Sequence, residues 1–423
     1  MLIKQSKPKR LGKVLLNDIL DKTHSLCRLA DSINWDWLVD NFGKYYHESH
    51  GRPGIPIRIM VGLHYLKYLE EESDESVVEK FCENPYWQYF CGLEEFVHRL
   101  PCNPSSLSKW RKKVGESGIE QMLKATLDLA RSLELLSERH FERLILDTTV
   151  QEKAISYPTD AKLCHLAREH LVKACQKRSI TLRQSFARKS KVSLVKQGRY
   201  AHARQMKRAK KERKKIKTYL GCVIRDIKRK VINPDKELLS LLHKAEIVCS
   251  QKRTDKDKLY SLWAPEVKCI AKGKAHKKYE YGCKVAVAVT ANDSWVVSSI
   301  ALDGNPYDGH TVDASINSAE KNTGVRAKHA FVDRGYKGNK NYPKDIKVYV
   351  SGQRQLKAIF KKILRSRPAI EPVIGHLKND YGMSRNKLHG RKGDKINATL
   401  SGCAFNIKKI INYFKSNNKL AIT

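Results

Sequence analysis

Three acidic side chains, remote from one another in the chain, sit in settings that suit chemistry. Asp147 interrupts the apolar run "LILDTT", and Asp333 ends a second such run, "AFVDRGY". A carboxylate delivered by a buried strand needs a cationic partner or a metal to offset its lost hydration. Each aspartate also has a plainer reading as a strand-end turn residue, Asp147 working through Thr148 or Thr149. Two strand-end acids in one α/β domain point more strongly to a shared site than either does alone. Glu371 lies in "RPAIEPVIGHLK". Pro372 is tolerated only in a first helical turn, so a regular helix there starts near Ala369 or Ile370. Glu371 then falls where the helix dipole favours a carboxylate, and its plainer reading is an N-terminal helix acid with a surface lysine. Lys378, seven residues on, lies on nearly the same face, and Arg367 precedes Glu371 by four. Three carboxylates can hold two hard cations such as Mg²⁺, which prefer oxygen ligands. Two such ions clamp the attacking and leaving oxygens of an in-line phosphoryl displacement.

The elements that would position these acids can be read from hydrophobic periodicity. "RLILDTTV" (143–150) is a short, β-leaning apolar run. "CKVAVAVT" and "WVVSSIAL" flank the turn signal "ANDS" and read as a hairpin. "HAFVDRGYKG", a strand closing on a glycine turn, and "KVYV" complete five strands, with helices expected at 311–322, 370–381 and 395–414. Residues 141–423 therefore read as a mixed α/β domain with a five-stranded sheet.

Residues 1–140 read as helical. Pro56 opens the helix expected in "GIPIRIMVGLHYLKYLEEES", which places Ile59, Leu63 and Leu66 at helical spacing. A second helix is expected over "DESVVEKFCENPYWQYF". A third is expected from "NPSSLSKWRKKVG", with Ser105 or Ser106 as N-cap and Gly115 as stop, and a fourth over "GIEQMLKATLDLARSLELL".

Charge narrows the function classes. Lys and Arg total 82 against 44 Asp and Glu, a net charge of +38. Such an excess opposes compaction and points to a polyanionic partner, nucleic acid first. The excess is uneven. An insertion at about 155–275 splits the α/β domain after its first strand, and within it Gln176–Lys230 carry 21 Lys or Arg against only Glu212 and Asp226. "RQMKRAKKERKKIKTYLGCVIRDIKRK" favours a basic helix, with Arg208, Lys211 and Lys214 as candidate phosphate contacts. A solvated helical hairpin is the alternative. The 11 cysteines include no CxxC pair, and Cys82, Cys91 and Cys102 lack zinc-knuckle spacing, which reads as reduced thiols. Met1 to Leu11 is polar and basic, and no run approaches the roughly 20 apolar residues of a membrane span. An intracellular, soluble protein is expected.

Taken in order, these motifs resemble the DDE transposases of bacterial insertion sequences, in the IS-five group with an InsH-like N-terminal domain. "GRPGIPIRIMVGLHYL" and "ENPYWQYFCGL" resemble that N-terminal domain, "LDTTV" with "ISYPTDAKL" the first catalytic motif, and "GNPYDGHT" the segment after the hairpin. "VDRGY" resembles the second catalytic motif. Arg367, Glu371 and Lys378 match the family's Arg-x3-Glu-x6-Lys spacing, and "SRNKLHGRKGDKINATLSGCAFNIKKI" its C-terminal block. Leu364 stands where the wider pattern has Tyr.

The resemblance implies a ribonuclease-H-like catalytic core with Asp147, Asp333 and Glu371 as its metal-binding triad. It implies two Mg²⁺ ions, for which Mn²⁺ can substitute, and contacts from Arg367 and Lys378 to DNA phosphates near the cut end. The implied substrates are the double-stranded terminal inverted repeats of a mobile element and its target DNA, bound by a homodimer or higher oligomer, in the cytoplasm at the nucleoid and without a membrane partner. "NPSSLSKWRKKVG" resembles the recognition helix of a helix-turn-helix, with Lys109, Arg111, Lys112 and Lys113 able to reach DNA. A core helix with a solvated basic face is the alternative. Two other functions fit the same composition: a non-catalytic nucleic-acid-binding protein, and a ribonuclease-H-fold nuclease that cuts without joining.

Overall fold

The computed structural model describes residues 14–47, 54–252, 254–271, 277–337 and 342–420. The polar N-terminal stretch, Gly338 and the first residues of "GRPG" lie outside them. The chain divides into two compact units, one made of residues 1–152 and 284–423, the other of 153–283.

The first unit begins with helices α1 (Leu16–Ile19), α2 (Ser25–Ser32), α3 (Trp35–Gly43) and α4 (Ile57–Leu69). Pro56 stands at the N-cap of α4. The single helix expected over "DESVVEKFCENPYWQYF" is two, α5 (Asp74–Glu83) and α6 (Pro85–Phe90). The break has a local cause. Asn84 is extended, and its side chain accepts from the N–H groups of Tyr86 and Trp87, while Pro85 takes the first helical position. Next comes α7 (Pro104–Ser132), capped by Asn103 rather than by Ser105 or Ser106, because Pro104 fits the first turn and needs no donor. Gly115 does stop this helix: its φ of 64° breaks α7 in two, a conformation open to glycine at little cost. Helix α8 (Glu138–Phe141) leads into strand β1 (Arg143–Glu152).

The second unit is helical at its core. It contains α9 (Asp160–Lys177), α10 (Ala187–His202), α11 (Met206–Lys230) and α12 (Lys236–Ser250). Helix α11 buries Ile216, Leu220, Val223 and Ile227 against Leu171, Cys175 and Leu242. Its two acids lie on that inward side: Asp226 accepts from the Arg183 N–H at 2.8 Å, and Glu212 holds Lys215 at 2.7 Å. What faces solvent along this helix is almost wholly cationic. A short strand, β2 (Lys268–Ala271), pairs antiparallel with the first residues of β3 (Tyr279–Thr290).

From Lys284 onward β3 belongs to the first unit, followed by β4 (Val296–Ala301), α13 (Val312–Thr323), β5 (His329–Val332) and β6 (Lys347–Val350). The five expected strands are present. β2 is a sixth, too short and mixed in character to carry a period-2 signal. The sheet runs β3-β1-β5-β6 with β4 on the free side of β3. β4 is antiparallel to β3, whereas β5 is parallel to both of its neighbours, β1 and β6. Then come α14 (Ala358–Ser366), α15 (Ile370–Asn379) and the long α16 (Gly390–Leu420).

Helix α16 is apolar on more than one side and packs on α2, α4, α7 and β4. Asn406, fully buried, joins three elements: it accepts from the Val296 N–H at 3.0 Å and donates to the Val296 carbonyl at 2.9 Å and to Thr126 Oγ1 at 3.1 Å. A second buried chain runs from Tyr68 through Asn397 to Gln151 of β1, by bonds of 2.8 and 2.9 Å, and Gln151 donates onward to the Asp394 carbonyl. These satisfied polar groups fix the end of β1, four residues beyond Asp147, which lies in the middle of the strand and not at its end.

Candidate active site

β1 brings Asp147 to the middle of the sheet, and the parallel neighbour β5 ends at Val332, delivering Asp333 beside it. Backbone donors hold both. The Thr148 N–H donates to Asp147 Oδ1 at 2.7 Å, and the Gly335 N–H donates to Asp333 Oδ1 at 2.9 Å. Glu371 lies in the first turn of α15, one residue after its start at Ile370.

The three acids meet around one cation. Arg367 Nη2 is 2.6 Å from Asp147 Oδ2 and 3.9 Å from Asp333 Oδ2, and its Nη1 is 3.8 Å from Glu371 Oε1. Arg367 is 7 % exposed, and its buried Nε makes no hydrogen bond among the described residues. The guanidinium thus lies between three carboxylates drawn from positions 147, 333 and 371.

The donor set, oxygen throughout, is the kind a hard divalent ion takes. Among the described residues no three acidic, histidine or cysteine side chains stand close enough to grip one ion as they are. Arg367 occupies the middle and supplies the positive charge that such a cluster requires. The residues fit divalent ions in the chemistry of their donors, with Arg367 standing among them.

A fourth carboxylate, Asp308, adjoins them and was missed in the sequence. Its Oδ1 accepts from Thr148 Oγ1 at 2.8 Å and from Lys284 Nζ at 2.8 Å. The signal that could have found it is the apolar strand "KVAVAV", which buries Lys284 and so demands an anion near its start. Tyr336, fully buried, lies among the same acids. Burial, then the Asp147 and Asp308 charges, push its phenol well above its usual range.

The remaining predicted residues separate by exposure. Lys378 is half-buried on α15, two turns beyond Glu371, and Leu364 is half-buried on α14. On α7, Lys109, Lys112 and Lys113 are exposed, with Lys113 Nζ 3.5 Å from the Tyr46 ring centre. Arg111 is not available to DNA: it is 4 % exposed and donates to both oxygens of Asp74, at 2.9 and 2.5 Å. Leu107, Trp110 and Val114 face inward with it, so the basic run is a core helix with three outward lysines. In the second unit, Arg208, Lys211 and Lys214 are exposed on α11. All eleven cysteines are free thiols. No helix of the described residues is long and apolar enough to cross a membrane.

Known proteins bear on this geometry. Residues 14–113 match the family model described as "Transposase domain (DUF772)", and residues 248–407 match "Transposase DDE domain". A Rhizobium meliloti protein named "Uncharacterized protein ORF8 in nfe locus" is 45% identical over 190 residues, which is 45% of this chain and 91% of that protein. No solved structure matches. The matches define a protein built on a DDE catalytic domain, whose fold is ribonuclease-H-like, in agreement with the mixed sheet. The chain belongs to the DDE transposases of insertion sequences. It is a metal-dependent DNA transposition enzyme, with DNA as its partner. Asp333 and Glu371 fall inside the second match, whereas Asp147 lies between the two matched segments.

Proposed function

We propose that this transposase binds the terminal inverted repeats of its element, cuts the element ends and joins the released 3′-hydroxyls to target DNA, with Asp147, Asp333 and Glu371 as the catalytic acids. The observation that carries this reading is the convergence of those three carboxylates on the one buried guanidinium of Arg367. The same acids would hold the divalent ions, Mg²⁺ or in its place Mn²⁺, which when bound offset the carboxylate charge against phosphate and acidify an attacking water.

The chain's own groups set the geometry. The Thr148 and Gly335 N–H groups fix one oxygen each of Asp147 and Asp333, leaving the other oxygens turned to the shared centre. Arg367, with its unbonded Nε, offers a donor to a phosphate oxygen of the incoming strand. Lys378 on the same helix is assigned a phosphate near the cut end. In the first reaction water adds to phosphorus and the 3′-oxygen leaves; in the second that hydroxyl adds to a target phosphodiester and expels its 3′-oxygen. Both need the same acids. Cutting at paired ends calls for at least two copies of the chain on the DNA.

Recognition of the repeats is assigned to α7 through Lys109, Lys112 and Lys113, and phosphate tracking to the outer face of α11. That outer face carries Arg208, Lys211 and Lys214, while both acids of the helix are turned inward.

The test uses a labelled duplex of the element's own terminal repeat. Asp147→Asn and Glu371→Gln should each abolish end cleavage, and strand transfer from pre-cut ends, while retaining end binding. Normal cleavage by either variant removes that residue from the mechanism. Cleavage without joining by the unmodified protein would leave a nuclease in place of a transposase.

A further inference from the structure

We infer that Tyr157, Tyr260, Tyr279 and Tyr281 form a stacking platform in the second unit that takes the unpaired bases of single-stranded DNA. The inference needs DNA as partner and does not depend on which acids are catalytic.

The platform starts from the register of a short hairpin. Tyr279 and Tyr281 are two residues apart on β3, so they stand on one face, about 7 Å apart. Their cross-strand partners on β2 are Ala271 and Cys269, side chains too small to cover a phenol ring. Two rings from other parts of the unit join them. Tyr157 meets Tyr281 edge-on, with ring centres 5.5 Å apart and planes at 86°. Tyr260 lies 5.4 Å from Tyr281 at 52°. Tyr260 and Tyr281 are half-buried, whereas Tyr279 is exposed and Tyr157 is 65 % exposed.

Tyr157 belongs to "ISYPTDAKL", and its neighbours there serve the fold. The Thr159 hydroxyl caps α9 by accepting from the Lys162 N–H at 3.3 Å, and Asp160 pairs with Lys258 at 3.6 Å. The phenol two residues before that cap is turned largely to solvent.

Charge identifies the occupant. Residues 153–283 carry 36 Lys or Arg against 11 Asp or Glu. Two of these lysines lie beside the rings: Lys278 Nζ is 5.6 Å from the Tyr279 ring centre, and Lys258 Nζ is 6.0 Å from that of Tyr260. A cationic surface with open aromatic faces suits a strand whose phosphates meet the lysines while its bases stack on the rings. Duplex DNA shows only base edges in its grooves, so the rings favour unpaired bases. The same charge works against a second copy of this chain as occupant. Packing alone is the plainer reading of four clustered rings. It predicts that losing a ring lowers the melting temperature and leaves DNA binding unchanged.

The experiment uses the full chain and an oligothymidine of about 12 nucleotides carrying one 2-aminopurine, with a duplex of the same length as control. Tyr157→Ala should weaken single-strand binding roughly 5- to 100-fold and reduce the quenching of 2-aminopurine emission that stacking causes. Duplex affinity and melting temperature should stay as they are. Tyr157→Phe keeps the ring and should match wild type throughout. Wild-type single-strand affinity in Tyr157→Ala would overturn the proposal. So would an equal loss on the duplex, or a loss in Tyr157→Phe as large as in Tyr157→Ala, which would place the effect in the hydroxyl. If Tyr157→Ala does not fold, Tyr279→Ala decides by the same readings. A smaller sedimentation coefficient in Tyr157→Ala, with oligonucleotide binding unchanged, gives the face to a second copy and overturns the proposal as well. The oligonucleotides hold no terminal repeat and nothing is cut, so Asp147→Asn should bind them as wild type does. Failure here therefore leaves the assignment of the catalytic acids standing, and failure of that assignment leaves this one.

Discussion

Arg111 grips Asp74 through both oxygens while Lys67 holds one of them at 2.5 Å. Burial pushes the Asp74 carboxyl up, but the Arg111 bonds and the Lys67 charge outweigh it and hold its pKa at about 2. Removing Arg111 strands a buried anion, so Arg111→Ala should cost roughly 3–5 kcal/mol of stability. Lys112→Ala and Lys113→Ala should leave the melting temperature nearly unchanged and weaken DNA binding instead. Thermal melting and a binding titration on each variant check the division. His64 belongs to the same cluster. Its Nδ1–H donates to the Met60 carbonyl at 2.7 Å, and Arg111 Nη1 donates to Nε2 at 3.2 Å, so the ring has no place for a second proton. Burial, then the Arg111 charge, lower its pKa to about 3. The unfolded chain takes up that proton below its ordinary value near 6.5 while the folded one does not. Stability therefore falls as pH drops through the window between the two, by about 2 kcal/mol at pH 5 from this residue. His64→Gln should flatten the melting-temperature profile between pH 7 and 5. A profile as steep as wild type would assign the loss to other histidines. These side chains are unevenly legible in the sequence. Asp147 and Asp333 are legible because apolar runs carry them. Asp308 is not, because "GNPYDGHT" looks like any turn, and Arg111 is not, because its partner is 37 residues upstream in the chain.

At the scale of elements, α11 shows how a strongly basic segment folds without neutralisation. Its apolar stripe supplies the packing, and its two acids are used on that same side. Of the outward cations, Arg213, Lys215, Lys228, Arg229 and Lys230 are paired with carboxylates, whereas Arg208, Lys211 and Lys214 have no carboxylate partner among the described residues. Each phosphate that such a face neutralises adds about 0.9 to the slope of log affinity against log salt. Changing Arg208, Lys211 and Lys214 to Gln together should lower that slope, with little change in binding preference between sequences. A slope equal to wild type in a salt series would take α11 off the DNA. A run of helix formers with few breakers made this helix legible, as the turn signal "ANDS" between two apolar runs made the hairpin legible. What escaped was punctuation decided by single side chains. Asn84 ends one helix and starts another within "ENPYW", and Asn103 preempts two serines as cap because a proline follows it.

At the scale of the molecule, helix α16 is the common partner of the sheet and the N-terminal helices, through Asn406 on β4 and α7 and through Asn397 on α4 and β1. The early helices and the sheet fall in the same compact unit, residues 1–152 and 284–423. Sequence patterns report local amphipathicity, and nothing local reveals that α2, α4 and α7 share a cover made of residues 390–420.

That late cover has a consequence for how the protein is made. The ribosome finishes the early helices long before it reaches Gly390, so the nascent chain carries their apolar faces naked through most of its synthesis. A fragment ending at residue 389 should appear in inclusion bodies or bound to chaperones, and co-expressing residues 390–423 in trans should return part of it to the soluble fraction. In living cells, an interrupted copy of the gene would then be cleared as misfolded protein and would not persist as a competitor for the element's ends.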